Sequence, residues 1–409
     1  MKIGIDIRPL MDRYYSGISE YTANLLSAIL SADKTEDYRL FYNSFFNLDK
    51  RLSSWTRTNA RVIGSHYPNK IFNYVGQKLF HYPKIDRALG GCDIFWSPHF
   101  NFTSLSAAPT GPKKIITVHD LSFLRYPEFF SWRQNFWHRA LDVKRALREA
   151  DHIIAVSDNT KNDIIELAGV APEKISVVYS GNNLERREVG RPEIQEFLRH
   201  RVLGPSSSAE NDSGRYILYL GNIEPRKNIS GIIAAYNILR VDEAARERQA
   251  SGRGSGTVKL ILAGASGWKN KKIYAAWKNS PYSEDIIFLG YVSKKEKEIL
   301  YSLASAFVYP SFYEGFGFPP LEAMSYGLPV VCSNISSLPE VVGDGALLIN
   351  PYKTEEIAEA LGLILNDRDI RAHFAARGYE RAKLFTWEKT AAEYLKIFKA
   401  IYEGSKKNN

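Results

Sequence analysis

Residues 309–333, YPSFYEGFGFPPLEAMSYGLPVVCS, combine a strand-to-helix pattern with two glutamates on either side of a glycine-rich turn. The run SAFVYPS that leads into them predicts a buried strand, and PPLEAMSYG predicts a helix with Pro320 at its first position. Residues 313–319 are therefore expected to form the connecting loop, with Glu314 near its beginning and Glu322 in the first helical turn. In parallel sheets, such loops gather at the carboxyl edge, where ligands bind.

The same alternation of strands and helices runs through the whole chain and divides it into two halves. With 409 residues, the chain exceeds the size of about 250–300 residues at which single cores stop growing. Its strands are rich in Val and Ile and are separated by amphipathic helices, which predicts an α/β protein of two Rossmann-like, doubly wound domains with parallel sheets. The predicted parts are an N-terminal domain at 1–190, a linker or insertion at 191–214, a C-terminal domain at 215–385, and a helix and tail at 386–409 that can cross back to the first domain.

The loop between the two glutamates has the features of an anion site. Gly315 and Gly317 permit unusual backbone angles and the close approach of a ligand, and N–H groups at a helix start attract negative charge. Each glutamate also has a simpler interpretation. Glu322 can complement the helix dipole, which contributes about 0.3–1 kcal/mol, and Glu314 can be a solvated loop acid. The glycines between them favour a ligand that carries both hydroxyl and phosphate groups.

The motif EGFGFPPLE resembles the signature of family 4 glycosyltransferases, which are retaining enzymes of the GT-B fold, with two domains that face each other across a cleft. The segments TVHDLSFLRYPEFF, ADHIIAVSDNTKNDI, YILYLGNIEPRKN, FLGYVS and LPEVVGDGALLINP stand in the family's usual order, and GNIEPRKN is most similar to the bacterial mannosyltransferases. The resemblance implies transfer of a hexose, predicted to be mannose from GDP-mannose, to a glycan or lipid-linked glycan acceptor in cell-envelope polysaccharide synthesis. A hexosyltransferase that uses UDP-sugars and a catalytically weak sugar-nucleotide-binding subunit stay open as alternatives.

The resemblance also implies roles for individual residues. Glu314 is expected to contact the hydroxyls of the donor sugar, Glu322 the ribose, and His119 the donor sugar from the N-terminal, acceptor-binding domain. Arg226 and Lys227 are expected to stabilise the departing diphosphate, although an Arg-Lys pair is often only solvated and a lone His is often structural. Many family members have an arginine where this chain has Asn222. The other donor contacts that the resemblance implies are Gly17, Asn222, Gly290, Tyr291, Val292, Gly315, Phe316, Gly317, Phe318 and Leu321.

Other classes of site find little support in the sequence. His66 and His81 have no ligand-like spacing, and no Asp-x-Asp patch marks a divalent-ion site, so we expect no metal cofactor. The glycine motifs that bind dinucleotides or the phosphates of ATP are also absent, which argues against a dehydrogenase or an ATPase. The polar residues of 65–84 suit a sugar-binding surface and equally an ordinary one.

The net charge of +9 indicates an anionic partner. Residues 125–148 contain six Arg or Lys against two acids, and the helix predicted at 131–149 carries an aromatic stripe. This helix can lie on an anionic membrane, or it can pack on the sheet with a solvated basic face. No nucleic-acid-binding module is recognised, so no nucleic-acid partner is expected. No run approaches the roughly 18 apolar residues of a membrane span, and only two cysteines occur, which predicts a cytoplasmic protein that can be peripheral on the inner face of the membrane.

Overall fold

The computed structural model describes residues 1–11, 17–46, 48, 52–109, 111–182, 190–197, 201, 215–249 and 257–407. These residues form two compact units. Unit 1 comprises Met1–Arg125, Arg133–Gly181 and Phe385–Asn409, and unit 2 comprises Tyr126–Trp132 and Asn182–Leu384. Each unit contains one parallel sheet with helices between most successive strands, which confirms the predicted Rossmann-like architecture.

Unit 1 contains a sheet of seven parallel strands in the order β3-β2-β1-β4-β5-β6-β7. The strands are β1 Lys2–Asp6, β2 Asp37–Asn43, β3 Ala60–Ser65, β4 Ile94–Ser97, β5 Lys113–Val118, β6 His152–Ala155 and β7 Ile175–Val177. The helices are α1 Gly17–Ala32, α2 Ile71–Phe80, α3 Ile85–Ala88, α4 Ser122–Arg125, α5 Trp132–Leu141, α6 Val143–Glu149, α7 Asp158–Ala168 and, at the end of the chain, α16 Trp387–Lys407. The apolar residues of β1, β2, β4, β5 and β6 are almost completely buried, as expected for a parallel sheet, whereas the edge strands β3 and β7 also have partly exposed ones.

The C-terminal helix α16 packs against α1 in unit 1, so the predicted return of the chain to the first domain is confirmed. Its buried Tyr394 hydroxyl lies 2.6 Å from the hydroxyl of Tyr21 and 2.7 Å from Oγ1 of Thr117. The ring of Trp96 packs beside Tyr394, with 5.1 Å between ring centroids. A hydrogen-bonded chain inside an aromatic cluster therefore fixes this helix on the sheet.

Unit 2 contains a sheet of six parallel strands in the order β10-β9-β8-β11-β12-β13. The strands are β8 Tyr216–Leu220, β9 Lys259–Ala263, β10 Ile286–Gly290, β11 Ala306–Tyr309, β12 Val330–Ser333 and β13 Leu347–Ile349. The helices are α8 Arg191–Phe197, α9 Ile229–Gln249, α10 Lys271–Lys278, α11 Lys294–Leu303, α12 Phe318–Ser325, α13 Leu338–Val342, α14 Thr354–Asn366 and α15 Arg368–Ala382. In both sheets the strand order reverses beside the unit's first strand, next to β1 in unit 1 and next to β8 in unit 2. Doubly wound sheets bind ligands at such reversals.

Some details differ from the sequence-based expectations. The helix predicted at 131–149 is two helices, because Asp142 between them has a positive φ of 47°. In α6, Val143 and Leu147 are buried, whereas α5 has no buried residue. The short segment Tyr126–Trp132, expected in the N-terminal domain, belongs to unit 2. Most of the predicted linker, including its Ser-rich part at 205–214, lies outside the described residues.

Candidate active site

Two loops of unit 2 meet where its strand order reverses. One follows β8 and contains Arg226 and Lys227, and the other follows β11 and contains Glu314. The strands are neighbours in the sheet although they are far apart in the sequence. The carbonyl of Arg226 accepts hydrogen bonds from the N–H of Phe312 at 2.9 Å and from the hydroxyl of Ser311 at 3.2 Å. These bonds join the two loops, so the predicted cations and the first glutamate lie together.

Lys227 and Glu314 form a buried ion pair. The ammonium of Lys227 donates to Oε1 of Glu314 at 2.5 Å and to the hydroxyl of Tyr309 at 2.7 Å. The hydroxyl of Ser311 donates to the same carboxylate oxygen. Burial alone would raise the pKa of Glu314, but the charges of Lys227 and Arg226 and these hydrogen bonds outweigh it and lower the pKa to about 2. Burial lowers the pKa of Lys227, against the attraction of Glu314.

Arg226 lies between two carboxylates. Its Nε and Nη2 atoms donate to Oε1 of Glu224 at 3.2 and 2.9 Å, and Nη1 lies 3.3 Å from Oε2 of Glu314. Nη1 also donates to the carbonyl of Tyr313 at 2.6 Å. Arg226 thus fixes the position of Glu314 and its loop. The sequence did not single out Glu224, although this buried acid stands only two residues before the arginine.

The backbone around Glu314 is held by two serines of the loop that follows β12. The N–H of Glu314 donates to the hydroxyl of Ser336 at 2.9 Å. The hydroxyl of Ser337 donates to the carbonyls of Glu314 and Phe316, both at 2.9 Å. Because three loops share these bonds, the glutamate is positioned before any ligand binds.

Helix α12 begins earlier than predicted. Gly317 has a φ of 110° and precedes the first helical residue, Phe318, so the helix starts two residues before Pro320. Glu322 consequently lies in the second turn, and the prediction that it occupies the first turn was wrong. Pro319 and Pro320 have no N–H, so the helix start offers fewer amide donors than a helix start normally does.

Glu322 is buried and paired. It accepts a hydrogen bond from the hydroxyl of Tyr301 at 3.0 Å, and the ammonium of Lys297 lies 3.4 Å from its other oxygen. Both partners belong to α11, which the Ser293 and Glu296 capping box begins. Neither partner was predicted, because a helix that contacts α12 cannot be identified from local sequence. A buried, oriented carboxylate is better suited to bind a ligand hydroxyl than to complement a helix dipole.

The other donor contacts predicted in unit 2 follow strands of the same sheet, at the edge where those strands end. Gly290 ends β10 with a φ of 70°, Tyr291 is 57% exposed, and Val292 is buried before α11 begins. Asn222 follows β8, and its carbonyl accepts a hydrogen bond from the hydroxyl of Tyr219 at 2.9 Å. Leu321 is buried in α12. The structure therefore brings these residues to one edge, and their contact with a donor stays a prediction.

His119 and Gly17 belong to unit 1. His119 follows β5, and its Nε2 lies 2.8 Å from the carbonyl oxygen of Pro98. The rings of Tyr21 and His119 meet edge to face, with 4.6 Å between their centroids. Burial lowers the pKa of His119, so the imidazole is neutral at pH 7. Gly17 is the first residue of α1, and the preceding residues 12–16 lie outside the described residues. The roles of both residues stay predictions.

A second polar cluster, which the sequence did not indicate, lies at the carboxyl edge of the sheet in unit 1. Arg8 pairs with Asp6 at 2.6 Å, and both side chains are buried. Arg8 also donates to Oδ1 of Asn73 at 3.2 Å. Burial lowers the pKa of nearby His99 to about 4, and its Nδ1 has no hydrogen-bond partner among the described residues. These groups can bind a polyhydroxyl ligand.

Two kinds of feature are absent from the described residues. No group of three or more His, Cys, Asp or Glu within them is placed to hold a metal ion. Among the same residues, no helix is long and apolar enough to cross a membrane.

Comparisons with known proteins agree with the geometry. Residues 205–381 match the family model of the group 1 glycosyl transferases, and residues 40–186 match that of glycosyltransferase family 4. The O-antigen chain mannosyltransferase B of Escherichia coli is 29% identical over 395 residues, which cover 94% of this chain and 96% of that protein. An O-antigen chain mannosyltransferase of Salmonella typhimurium is 31% identical over 256 residues, 61% of this chain and 60% of that protein. The solved sucrose-phosphate synthase of Thermosynechococcus elongatus superposes with a TM-score of 0.70 over 99% of this chain and 100% of its own, at 18% identity.

Proposed function

Since the chain belongs to the glycosyltransferases of the GT-B fold, with one family 4 domain and one group 1 domain, we propose that it is a retaining enzyme that transfers mannose from GDP-mannose. The proposed acceptor is a hydroxyl of a glycan or lipid-linked glycan in cell-envelope polysaccharide synthesis. The similarity to an O-antigen chain mannosyltransferase over nearly the full length of both chains supports the choice of sugar and acceptor.

The observation that carries this proposal is the buried Lys227–Glu314 pair at the strand-order reversal of unit 2. In the pair, the two charges neutralise each other. A nucleotide sugar brings hydroxyls that can donate to the Glu314 carboxylate and phosphate oxygens that can accept from the Lys227 ammonium. Donor binding thus replaces one ion pair by two sets of charge-assisted hydrogen bonds, which are the stronger class of hydrogen bond.

In the proposed reaction, the acceptor oxygen forms a bond to the anomeric carbon while the bond from that carbon to the phosphate oxygen breaks. The acceptor's proton passes to the departing diphosphate, and attack on the same face retains the anomeric configuration. Lys227 stabilises the negative charge that develops on the diphosphate. Glu314 stays ionised, since its pKa is lowered to about 2, and it holds the sugar by its hydroxyls.

The surrounding groups position the donor in this scheme. Glu322 binds the ribose hydroxyls, oriented by Tyr301 and Lys297. Arg226 acts indirectly. Its Nη1 lies 3.3 Å from Oε2 of Glu314 and holds that carboxylate in position. His119 contacts the donor sugar as a neutral imidazole. No metal ion is part of the scheme, since Lys227 supplies the positive charge that the diphosphate needs.

The test is turnover of a nucleotide sugar by the purified chain. We expect GDP and mannose to be released from GDP-mannose, with or without a chelator, and transfer to an acceptor to conserve the anomeric configuration, measured by NMR. Replacing Lys227 by Met should lower kcat/KM on the order of 10²–10³-fold. Its control is Lys272→Met, since Lys272 is an exposed lysine of α10 in the same unit.

Other outcomes would redirect or refute the proposal. A preference for UDP-glucose over GDP-mannose would replace mannosyl by glucosyl transfer. Binding of a sugar nucleotide with no turnover, alone or with acceptor, would indicate a binding subunit. Wild-type kinetics in Lys227→Met would refute the role of the buried pair.

A further inference from the structure

The imidazole of His119 is held in one orientation by the carbonyl of Pro98. Because the ring is neutral at pH 7 and its Nε2 lies 2.8 Å from an oxygen that only accepts hydrogen bonds, Nε2 carries the proton. The other nitrogen, Nδ1, is therefore an acceptor, and it has no hydrogen-bond partner among the described residues. The side chain is partly exposed where β5 ends. A ligand hydroxyl can therefore donate to Nδ1.

The ring of Tyr21, on α1, packs against this imidazole. The two rings meet edge to face, with 4.6 Å between their centroids, and Tyr21 is completely buried. Trp387, the first residue of α16, packs edge-on against the same tyrosine ring, with 5.4 Å between centroids. Tyr21 thus contacts both His119 and the C-terminal helix.

The hydroxyl of Tyr21 belongs to a buried hydrogen-bonded chain that returns to β5. It lies 2.6 Å from the hydroxyl of Tyr394 on α16, which lies 2.7 Å from Oγ1 of Thr117. Thr117 also accepts a hydrogen bond from Nε1 of Trp96 at 2.9 Å. All four side chains are completely buried. A buried polar group that loses its partner is costly, so this chain fixes the position of Tyr21.

These contacts close a ring around His119. Thr117 stands two residues before His119 in the sequence, and the contacts run from Thr117 through Tyr394 and Tyr21 back to the imidazole. Burial raises the pKa of both tyrosine hydroxyls, so they stay protonated and uncharged at pH 7. Because neither tyrosine is exposed, neither can touch a substrate. An effect of these tyrosines on a reaction has to act through His119.

We propose that Tyr21 and Tyr394 are positioning residues for His119, and that they hold it with Nδ1 ready to accept a hydrogen bond from a hydroxyl of the transferred sugar. This inference rests on the proposed function, in which His119 contacts the donor sugar. A fixed Nδ1 orients the sugar relative to the acceptor, and a misplacement of about 1 Å can lower a rate about 10²-fold. The C-terminal helix thus contributes to the reaction as well as to the stability of unit 1.

The kinetic test is Tyr394→Phe, which removes one hydroxyl and keeps the ring. We expect kcat with GDP-mannose to fall about tenfold and KM to change by less than about twofold, because the donor contacts proposed in unit 2 are unaffected. The matched control is Tyr38→Phe, which also removes a buried hydroxyl of unit 1. That hydroxyl donates to Oδ2 of Asp33 at 2.5 Å, and Tyr38 belongs to β2. The control should keep the wild-type kcat.

NMR of the imidazoles tests the positioning without a donor. The full chain is labelled with ¹⁵N in its eight histidines, and His119→Gln identifies the signal of His119. The wild type should show His119 with the proton on Nε2 alone. Tyr21→Leu should show both tautomers, Tyr394→Phe should change the signal in the same direction by less, and Tyr38→Phe should leave it unchanged.

Three results would overturn the proposal. They are a wild-type kcat in Tyr394→Phe, an equal loss of kcat in Tyr394→Phe and Tyr38→Phe, and an unchanged His119 signal in both Tyr21→Leu and Tyr394→Phe. The NMR result separates this proposal from the proposed function. Absence of donor turnover by the wild type, with the His119 signal changed in Tyr21→Leu, would contradict the proposed function and leave the positioning of the imidazole supported.

Discussion

Replacing Glu314 by Gln tests how strongly the buried pair holds the active-site loops of unit 2. The pKa of this carboxyl falls from 4.5 to about 2 on folding, and each pKa unit corresponds to 1.36 kcal/mol, so its charge contributes about 3 kcal/mol to stability. The variant keeps the size of the side chain but leaves the Lys227 ammonium buried beside a neutral amide. Removing one partner of a buried pair typically costs about 3–5 kcal/mol, which agrees with this magnitude.

The effect has a defined pH dependence. Since the folded-state pKa is depressed, the contribution of Glu314 is fully present above its unfolded pKa of 4.5 and is lost as the pH falls to about 2. The stability difference between wild type and Glu314→Gln should therefore be about 3 kcal/mol at pH 7 and shrink toward zero over that range. Lys227→Met should lower the free energy of unfolding by less than Glu314→Gln does, because Arg226 lies 3.3 Å from Glu314 and remains as its partner.

Hydrogen exchange of the β8 and β11 amides, measured by mass spectrometry, reports opening of unit 2 separately from unit 1. The control is Glu380→Gln, since Glu380 pairs with Lys383 on the surface of the same unit and should leave protection unchanged. Unchanged protection in Glu314→Gln at pH 7 would refute the reasoning. A difference in protection between the variant and the wild type that is as large near pH 2 as at pH 7 would also refute it.

Three further substitutions test other parts of the account. Glu322→Gln should raise the donor KM about tenfold and change kcat less, because one charged hydrogen bond contributes about 1.5–3 kcal/mol. Steady-state kinetics measure both constants. A lower kcat with an unchanged KM would contradict ribose binding by Glu322. Gly317→Ala should lower the stability of unit 2 by about 1–3 kcal/mol. The reason is that φ is 110° and an added Cβ would lie 2.6 Å from Cδ2 of Leu338. Unchanged hydrogen exchange of the β11 amides would contradict this. Tyr394→Phe should destabilise unit 1 by about 1–3 kcal/mol, since it removes the buried hydroxyl that bonds to Tyr21. Hydrogen exchange of the β5 amides measures the loss of stability. Protection equal to that of the wild type would refute the prediction.

Local pattern was sufficient for most of the architecture. The run SAFVYPS, predicted to be a buried strand, forms β11, because its apolar residues are a local signal. The predicted start of α12 was two residues too late. The sequence does not show that Gly317, which has a positive φ, is the last residue of the loop. The exposure of apolar residues on α2, among them Leu79 and Phe80 at 68% each, could not be predicted, because apolar spacing does not show which faces of a helix are covered.

The site was predictable only in outline. The sequence placed Lys227 and Glu314 after strands, which was enough to expect them at one edge of a sheet. It did not show that Glu224 holds Arg226, because charge pairing between neighbouring loop residues depends on backbone turns. It also did not show that Lys297 and Tyr301 reach Glu322 from another helix, because helix packing joins residues far apart in sequence.

The most direct test of the central claim is calorimetric titration of the full chain with GDP-mannose. We predict saturable binding of one donor per chain, which at a concentration of 100 times Kd should raise the free energy of unfolding by about 2.7 kcal/mol. Lys227→Met and Glu322→Gln should each weaken binding at least tenfold, and Lys272→Met should leave it unchanged. Absence of binding to any sugar nucleotide, or equal affinity in all three variants, would contradict a donor site at the strand-order reversal of unit 2.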